Sequence, residues 1–422
     1  MNKKFDPYDF SKKEINGVPV YYKNLPWAPC IHICIVFNNG AFNDPVGKEG
    51  LSHFLEHLLL KGCPSIPSKK AIREWSKINA LNTLNAWTNF YNTCYFLKCL
   101  PEKYDTVLIG LKDMIFNSYL KSEDIEEERK VIVQEAWGQF LNNKFLVYIK
   151  EFCDIFYYGN QHSRFSSSLG WPETILKISQ EDIVSWHKKN YGIGNFYVVI
   201  VGAIEEMHID KLEDFLGDLP KVEPSFFDFG EINKPKQNKI TKTADEIGEV
   251  KEQVEISIVR LLEKIDYEKD EISNVSTRLM RDLLNEKLRT EHSLCYGVLT
   301  SLAKTKLCTR LSVNVKTDEK NIELVEKEIK NVIEEIINKK HLERFNTIKI
   351  LYKEQLKSQE FFSDDIATNT IYEISRFNGH IVTNEEQLKN LEKVTYDDVV
   401  DFTSFIFDSE YLLTEIILPS KK

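Results

Sequence analysis

The sequence predicts an α/β protein built from two copies of one domain. The chain has 422 residues, which is more than one hydrophobic core usually supports, so two domains are expected. Apolar runs typical of strands alternate with longer segments of helical periodicity in both halves. Residues 177–202 also align without gaps with residues 393–418, which indicates that the two halves share one fold.

The two aligned segments have the same signals in the same order. In each, a hydroxyl residue precedes two acidic residues, an apolar helix and a closing strand. Ser179 and Thr395 are the expected N-caps, and the helix dipole favours acidic residues in the first turn. The alternative is a coincidence between two ordinary helix–strand units, which are frequent in α/β folds.

The first half contains strand signals, a turn-rich stretch and then helices. The stretch NNGAFNDPVGKEG breaks the chain before a helix that should end at Gly62, and Ser68 should cap the next helix. The predicted elements are strands at 18–24, 31–38 and 195–203, a strand pair or one long edge strand at 84–99, a loop at 158–171, and helices at 51–61, 68–77, 101–119, 122–145 and 180–189.

A linker separates the halves. Between residues 218 and 240, three prolines and mixed charge without periodicity mark an exposed segment. The predicted domains are therefore residues 1–220 and 241–422, joined by a linker at 221–240. In the second domain we expect strands at 249–262, 295–302 and 308–316, and helices at 270–290, 319–337 and 341–358.

The composition restricts the partner and the compartment. Hydrophobic residues make up 42% and charged residues 28% of the chain, and the net charge is -10. This charge argues against nucleic acid or an anionic membrane as the main partner. No secretory signal is visible at the start, and the longest apolar runs are too short to span a bilayer. We expect a soluble cytoplasmic protein.

The eight cysteines do not form the paired CxxC knuckles of a structural zinc site. Free buried thiols in a reducing compartment are the favoured interpretation, with disulfides as the alternative, because a chain of this length needs no covalent crosslinks.

The segment LSHFLEHLLLKG (51–62) carries the main chemical signal. On a helix, His53 and His57 are four residues apart and project from one face, so both imidazoles can bind one ion. Glu56 flanks that face and can take a proton from a water. The order His-x-x-Glu-His is the inverted zinc-peptidase motif, expected by chance in about one or two chains per hundred of this length.

A catalytic zinc site needs a third protein ligand. Glu135 lies in a predicted helix with an apolar side, and Glu128 is two turns earlier on nearly the same face. Glu135 is the candidate third ligand, and Glu128 is placed to hydrogen-bond a ligating histidine. The alternative for residues 126–128 is a solvated acidic face.

These residues resemble the pitrilysin/insulinase family of inverzincin metallopeptidases, in particular its short members with two domains per chain. The resemblance rests on HFLEH (53–57), ERKVIVQE (128–135), NAWTNFYNTCYF (85–96) and LRTEHSLCYGV (288–298). It implies an α+β fold, in which two homologous domains with antiparallel-rich sheets and helices on one face form half of a clamshell chamber.

The resemblance also implies roles for individual residues. His53, His57 and Glu135 would bind one zinc ion per chain, and Glu56 would be the general base. Glu128 would hydrogen-bond a zinc ligand without binding the ion itself. An edge strand that pairs with substrate would consist of Asn85, Ala86, Trp87 and Thr88. Arg289 and Tyr296 would hold a substrate carbonyl or the oxyanion.

Without the resemblance, Arg289 would be interpreted as a surface ion pair with Glu286 or Glu291, and Tyr296 as a core residue. The spacing from His57 to Glu135 is one residue longer than the commonest family spacing, and residues 78–86 lack the glycine pair that often precedes the edge strand.

The implied function is a zinc-dependent endopeptidase that hydrolyses peptides or unfolded segments. Because the family encloses substrate between two halves, a homodimer is expected, and a heterodimer with a related subunit is the alternative. Two other functions stay open: a non-catalytic or assembly subunit of the same family, and a dedicated protease that matures one precursor.

Overall fold

The computed structural model describes residues 5–81, 84–358 and 362–421. Within these residues the strands are β1 (Ser11–Ile15), β2 (Val18–Asn24), β3 (Ile31–Phe37), β4 (Asn85–Thr88), β5 (Thr93–Cys99), β6 (Phe196–Gly202), β7 (Lys239–Thr243), β8 (Val254–Glu263), β9 (Val298–Lys304), β10 (Cys308–Thr317) and β11 (Leu413–Leu418).

The helices of the first half are α1 (Leu51–Leu59), α2 (Lys69–Asn79), α3 (Tyr104–Phe116), α4 (Ser122–Phe140), α5 (Asn143–Phe156), α6 (Pro172–Ile175), α7 (Gln180–Asn190), α8 (Glu206–Asp210) and α9 (Leu212–Leu216). Those of the second half are α10 (Ala244–Ile247), α11 (Tyr267–Leu284), α12 (Ile322–Ile337), α13 (Leu342–Lys357), α14 (Ser363–Arg376), α15 (Asn384–Lys393) and α16 (Tyr396–Ile406).

The strands form two sheets with matching order. The first sheet runs β1-β2-β6-β3-β5-β4 and the second β7-β11-β8-β10-β9. In each, one pair is parallel, β2 with β6 and β7 with β11, and the other neighbours are antiparallel. The predicted α+β fold with antiparallel-rich sheets is therefore confirmed.

The same correspondence supports the internal repeat. Helices α7 and α16 precede β6 and β11, which hold equivalent places in their sheets. Ser179 accepts a hydrogen bond from the backbone N–H of Asp182, and Thr395 accepts one from Asp398. Each carboxylate accepts a bond from the cap residue in return, which completes a capping box. Both predicted N-caps are confirmed.

Two compact units divide the described chain. The first contains residues 5–140, 165–228 and 362–375, and the second contains residues 141–164, 229–358 and 376–421. In the first unit β3 and β6 are buried along their whole length, as central strands covered on both faces are. In the second unit, apolar residues of α11, α12 and α16 pack with β8 and β10 in one core.

Several predicted boundaries are wrong for local reasons. The helix predicted at 122–145 is two helices, because Leu141 has φ 57° and Asn142 caps α5 by accepting a bond from the N–H of Phe145. The helix predicted at 270–290 is α11 followed by a π-helical segment, Asn285–Glu291. The strand predicted from residue 295 begins at Val298, whose N–H and C=O are bound by the Asn285 amide.

All eight cysteines are free, and seven of them are buried, as predicted. None of the helices in the described ranges combines the length and apolar character that a membrane crossing requires.

Candidate metal centre

Loop 38–50 fixes the N-terminus of α1. Gly50 has φ 102°, and a Cβ atom there would lie 2.5 Å from the Leu169 carbonyl oxygen, so the position requires glycine. The buried Asp44 carboxylate accepts hydrogen bonds from the N–H of Gly50 (2.8 Å), the N–H of Ser52 (2.9 Å) and the Ser52 hydroxyl (2.6 Å). The first N–H groups of a helix have no carbonyl partner within the helix, and a carboxylate at this position accepts hydrogen bonds from them.

His53 and His57 lie one turn apart on α1. Their Nε2 atoms are 3.1 Å apart, and their rings meet edge to face with centroids 4.5 Å apart. His53 is buried, and this burial, reinforced by His57, lowers the pKa of His53 to about 3. The His53 imidazole is therefore neutral near pH 7, the form in which its nitrogen can bind a metal.

Helix α4 brings two carboxylates to these histidines. Glu135 Oε2 lies 3.9 Å from His53 Nε2 and 3.8 Å from His57 Nε2. Glu128 Oε1 accepts a hydrogen bond from His57 Nδ1 at 2.9 Å. That bond favours the His57 tautomer with its proton on Nδ1, in which the lone pair of Nε2 can bind a metal. Glu128 is buried, so the solvated acidic face predicted as its alternative is wrong for this residue.

The buried stripe of α4 explains how both carboxylates reach the site. Every third or fourth residue of the helix is buried, which docks it on the first unit. The members are Ile125, Glu128, Ile132, Ala136 and Phe140. Glu128 belongs to this stripe, whereas Glu135 lies beside it and is half-exposed.

The donor set fits a zinc ion. The ligand atoms of His53, His57 and Glu135 all lie within 4.8 Å of one another, and among the described residues they are the one group of this kind. Zinc bonds two imidazole nitrogens at about 2.0–2.1 Å in tetrahedral sites, which sets those nitrogens about 3.3 Å apart. The observed separation of 3.1 Å is close to that value. Two nitrogens and one oxygen also match the ligand types of catalytic zinc sites.

Glu56 lies between the histidines and the sheet edge. Its Oε2 accepts a hydrogen bond of 2.8 Å from the Thr88 hydroxyl, and Thr88 is the last residue of β4. Burial raises the pKa of Glu56 above its ordinary value, although His57 and the Thr88 bond act in the opposite direction. A carboxyl group with a raised pKa is suited to accept and return a proton near neutral pH.

Strand β4, Asn85–Thr88, is the last strand of the first sheet and pairs with β5 on one side. Of the two interpretations of residues 84–99, the strand pair is confirmed, and one long edge strand is wrong. Asn85 is exposed, and Ala86, Trp87 and Thr88 are partly exposed. Its outer backbone groups can accept another strand.

Two family sequence profiles match the chain. "Insulinase (Peptidase family M16)" matches residues 20–151, which include every residue of the site above, and "Peptidase M16 inactive domain" matches residues 177–351. The chain belongs to the insulinase family of peptidases. The predicted family is therefore confirmed.

Two curated proteins are similar to this insulinase-family chain over different lengths. An uncharacterized zinc protease of Rickettsia felis is 24% identical over 401 residues, which cover 93% of this chain and 94% of that protein. The mitochondrial-processing peptidase subunit beta of Caenorhabditis elegans is 33% identical over 188 residues, which cover 44% of this chain and 40% of that protein. The second likeness is thus confined to part of each chain.

Solved structures give the same fold. A protease from Helicobacter pylori superposes with a TM-score of 0.80 at 18% identity, covering 97% of this chain and 99% of that one. At this identity the likeness supports the fold alone.

Arg289 and Tyr296 belong to the second unit of this insulinase-family chain. The Arg289 guanidinium lies over the Tyr296 ring, 5.1 Å from its centroid. Tyr296 is 89% exposed, so the core position considered from the sequence is wrong. The ion-pair partners considered for Arg289 contact other cations: Glu286 pairs with Arg344, and Glu291 with Lys287.

Sequence reasoning missed two residues of the site and one contact. Asp44 anchors α1, and Lys61 forms an ion pair with Glu128. Thr88 was predicted only as part of the edge strand, and its hydrogen bond to Glu56 was not predicted. Lys61 alone had a visible signal, since it follows His53 and His57 at the same spacing of four residues.

Proposed function

We propose that this chain is a zinc-dependent endopeptidase. His53, His57 and Glu135 would hold one zinc ion per chain, and Glu56 would act as general base. The observation that carries this proposal is that the three ligand atoms lie within 4.8 Å of one another, beside a buried glutamate on the helix of the two histidines. Names of relatives that contain "zinc protease" support it.

Zinc held by these ligands supplies a Lewis acid that polarises the scissile carbonyl and makes a water more acidic. Glu56 accepts the proton of the attacking water and then donates it to the leaving amine. Because Thr88 holds Oε2 of Glu56, the other carboxylate oxygen is oriented for this transfer. Glu128 keeps His57 in one tautomer through its Nδ1 hydrogen bond.

The substrate is proposed to add to β4 as a further strand. Pairing through backbone N–H and C=O groups gives affinity that depends little on the side chains of the peptide. This mode requires an extended chain, so peptides and unfolded segments are the proposed substrate class. Asn85, Ala86, Trp87 and Thr88 would form the contact strand, and Thr88 would connect it to Glu56.

We keep the role that the resemblance implies for Arg289 and Tyr296 as a proposal. A guanidinium and a phenol hydroxyl donate hydrogen bonds to a carbonyl or an oxyanion. The exposure of Tyr296 and its contact with Arg289 support a binding role over a packing role. Replacement of Tyr296 by Phe should lower kcat while zinc content is unchanged, and unchanged kcat would contradict this role.

Assembly as a homodimer is part of the proposal, and a heterodimer is its alternative. Some relatives are named as subunits, for example the C. elegans peptidase subunit beta, which favours an assembly over a single chain. Light scattering on the purified protein should give twice the chain mass, and a monomer at micromolar concentration would contradict the homodimer. Cytoplasmic localisation also stays a proposal, supported by the free cysteines.

Two functions compete with this one. A non-catalytic or assembly subunit of the family would keep the fold without turnover, and a dedicated maturation protease would cut one precursor only. The presence of Glu56 and all three proposed ligands favours catalysis over the first. Product analysis on a peptide library separates a general peptidase from the second.

The test is cleavage of a quenched peptide by the zinc-loaded protein and its Glu56→Gln variant. Glutamine keeps the shape and the Thr88 contact but cannot take a proton, so kcat should fall by about 1,000-fold with zinc retained. Glu127→Gln, an exposed residue of α4, is the matched control and should stay within about twofold. Undiminished turnover in the Glu56→Gln variant would overturn the proposal.

A further inference from the structure

Lys61 is a buried lysine at the end of the metal helix. It lies four residues after His57 in the sequence and two residues beyond Leu59, the last residue of α1. Only 6% of its surface is exposed, although lysine is seldom buried unless its charge is paired. Its position in the sequence suggests a solvated side chain, and the structure shows a different environment.

The partner of Lys61 is Glu128, whose two oxygens have separate contacts. Oε1 accepts the hydrogen bond from His57 Nδ1 at 2.9 Å, and Oε2 forms the ion pair with Lys61 Nζ. Glu128 is 4% exposed, so water cannot readily replace either partner. The contacts form a row from the ammonium through the carboxylate to the imidazole and its ligand nitrogen.

This row of contacts fixes the orientation of the Glu128 carboxylate and, through it, of the His57 ring. A carboxylate held at one oxygen only can rotate about its last bond and lose the in-plane geometry that an imidazole N–H needs. With Oε2 held by Lys61, Oε1 stays directed at His57, and the His57 ring keeps its Nε2 directed at His53 and Glu135. Groups outside the ligand set orient metal ligands in this way.

A second lysine provides an internal comparison. Lys69 Nζ lies 4.0 Å from the same Glu128 oxygen, but its side chain is 55% exposed. An exposed ammonium is solvated and its pairing is weak, whereas the pairing of buried Lys61 is shielded from water. The two lysines therefore share a partner but differ in burial.

We propose that Lys61 is a positioning residue of the metal centre, whose ammonium fixes Glu128 so that Glu128 orients His57 toward the ion. The inference rests on the proposed zinc function and adds a residue to it. Lys61 is neither a proposed ligand nor the proposed base and acts through Glu128, so its effect should appear first in zinc affinity.

The test measures the zinc dissociation constant by competition with a chromophoric chelator for the full-length wild type, Lys61→Met, Lys61→Arg and Lys69→Met. Methionine keeps the length and apolar stem of lysine, and arginine keeps the charge. Lys61→Met should weaken zinc binding by about 10- to 100-fold, the usual cost of losing an outer partner. Lys61→Arg should recover most of this loss, and Lys69→Met should match the wild type.

A double-mutant cycle guards against a folding defect in Lys61→Met, which leaves Glu128 charged and buried. Glu128→Gln removes that charge, so Lys61→Met combined with Glu128→Gln should fold. If Lys61 acts through Glu128, the double variant should bind zinc about as tightly as Glu128→Gln alone.

Zinc affinity of Lys61→Met within twofold of wild type, or losses that simply multiply in the double variant, would overturn the role of Lys61 while the zinc site stands. A wild-type protein that binds no zinc would overturn the proposed function and this inference together.

Discussion

The two units have matching strand orders, but they differ in how the charged and ligand-type side chains of one helix are paired. In the second unit, Asp270 of α11 contacts Lys304 Nζ at 2.9 Å and an Arg376 nitrogen at 2.7 Å. Burial alone would raise the pKa of Asp270, but these two cations outweigh it and hold that pKa below its ordinary value. Opposite charges there satisfy one another, which is what a structural cluster requires.

In the first unit Lys61 and Glu128 are paired in the same way, but the three proposed metal ligands have no such balance. Two imidazole nitrogens face each other at 3.1 Å, and the Glu135 carboxylate lies within 4 Å of both. All three groups are electron-pair donors, and a cation between them would satisfy all three. The shared fold places a helix against the edge strand of each sheet, α1 on β4 and α11 on β9. The residues on that helix decide whether it carries a structural cluster or a ligand site.

The largest expected difference between the units is their response to zinc. Protein treated with a chelator should lose peptidase activity completely. Zinc added at about 1,000 times its dissociation constant should stabilise the folded site by about 4 kcal/mol. Hydrogen exchange should therefore slow in α1 and α4 and stay unchanged in α11 and β10. Equal slowing in both units would contradict a zinc site confined to the first unit.

The second-largest effect is expected on stability, from the Asp270 cluster of the second unit. Asp270→Asn removes the carboxylate that contacts the buried ends of Lys304 and Arg376, which should cost about 3 kcal/mol in the free energy of unfolding. Urea unfolding followed by circular dichroism measures this cost. Glu268→Gln, exposed on the same helix, is the control and should change stability by less than about 0.5 kcal/mol. Zinc content should be normal in both variants, and loss of zinc in Asp270→Asn would contradict a purely structural cluster.

A smaller effect is expected at the contact between the edge strand and the base. Thr88→Val keeps the shape but removes the hydroxyl that donates to Glu56. A hydrogen bond to a charged group is worth about 2 kcal/mol, so kcat should fall by about 30-fold with zinc retained. Thr88→Ser keeps the hydroxyl and should stay within about threefold. Equal losses in both variants would show that the methyl group, and not the hydroxyl, matters.

The smallest effects are expected at the N-caps of two equivalent helices, α7 and α16. Ser179→Ala and Thr395→Ala each remove the cap of an equivalent helix and should each cost about 1 kcal/mol in stability. The exchanges Ser179→Thr and Thr395→Ser keep the oxygen and should be close to neutral. A clear cost at one cap and none at the other would argue against equivalent roles for these helices.

Much of the fold and of the candidate site could be predicted from the sequence, because the signals were local. The capping residues and the His-x-x-Glu-His spacing determine geometry within a few residues. The end of α4 could not be predicted, because the positive φ of Leu141 has no signature in a leucine side chain. Strands β1 and β7 were missed because mostly polar, partly exposed residues form them.

The contact of Glu128 with His57 was predicted, but other contacts around the metal ligands were hidden for a different reason. Lys61 is a charged residue that the sequence suggests is exposed, and its pairing with Glu128 makes its burial tolerable. The Thr88 bond to Glu56 joins residues that are distant in sequence. Such pairs depend on tertiary packing, which periodicity does not encode.

The zinc content of purified, extensively dialysed protein tests the central claim most directly. Elemental analysis should find about one zinc per chain in the wild type and in Glu56→Gln, and almost none in His57→Ala, because two remaining ligands hold zinc too weakly. Stoichiometric zinc in His57→Ala, or a wild type that stays free of zinc after zinc is supplied, would contradict the account.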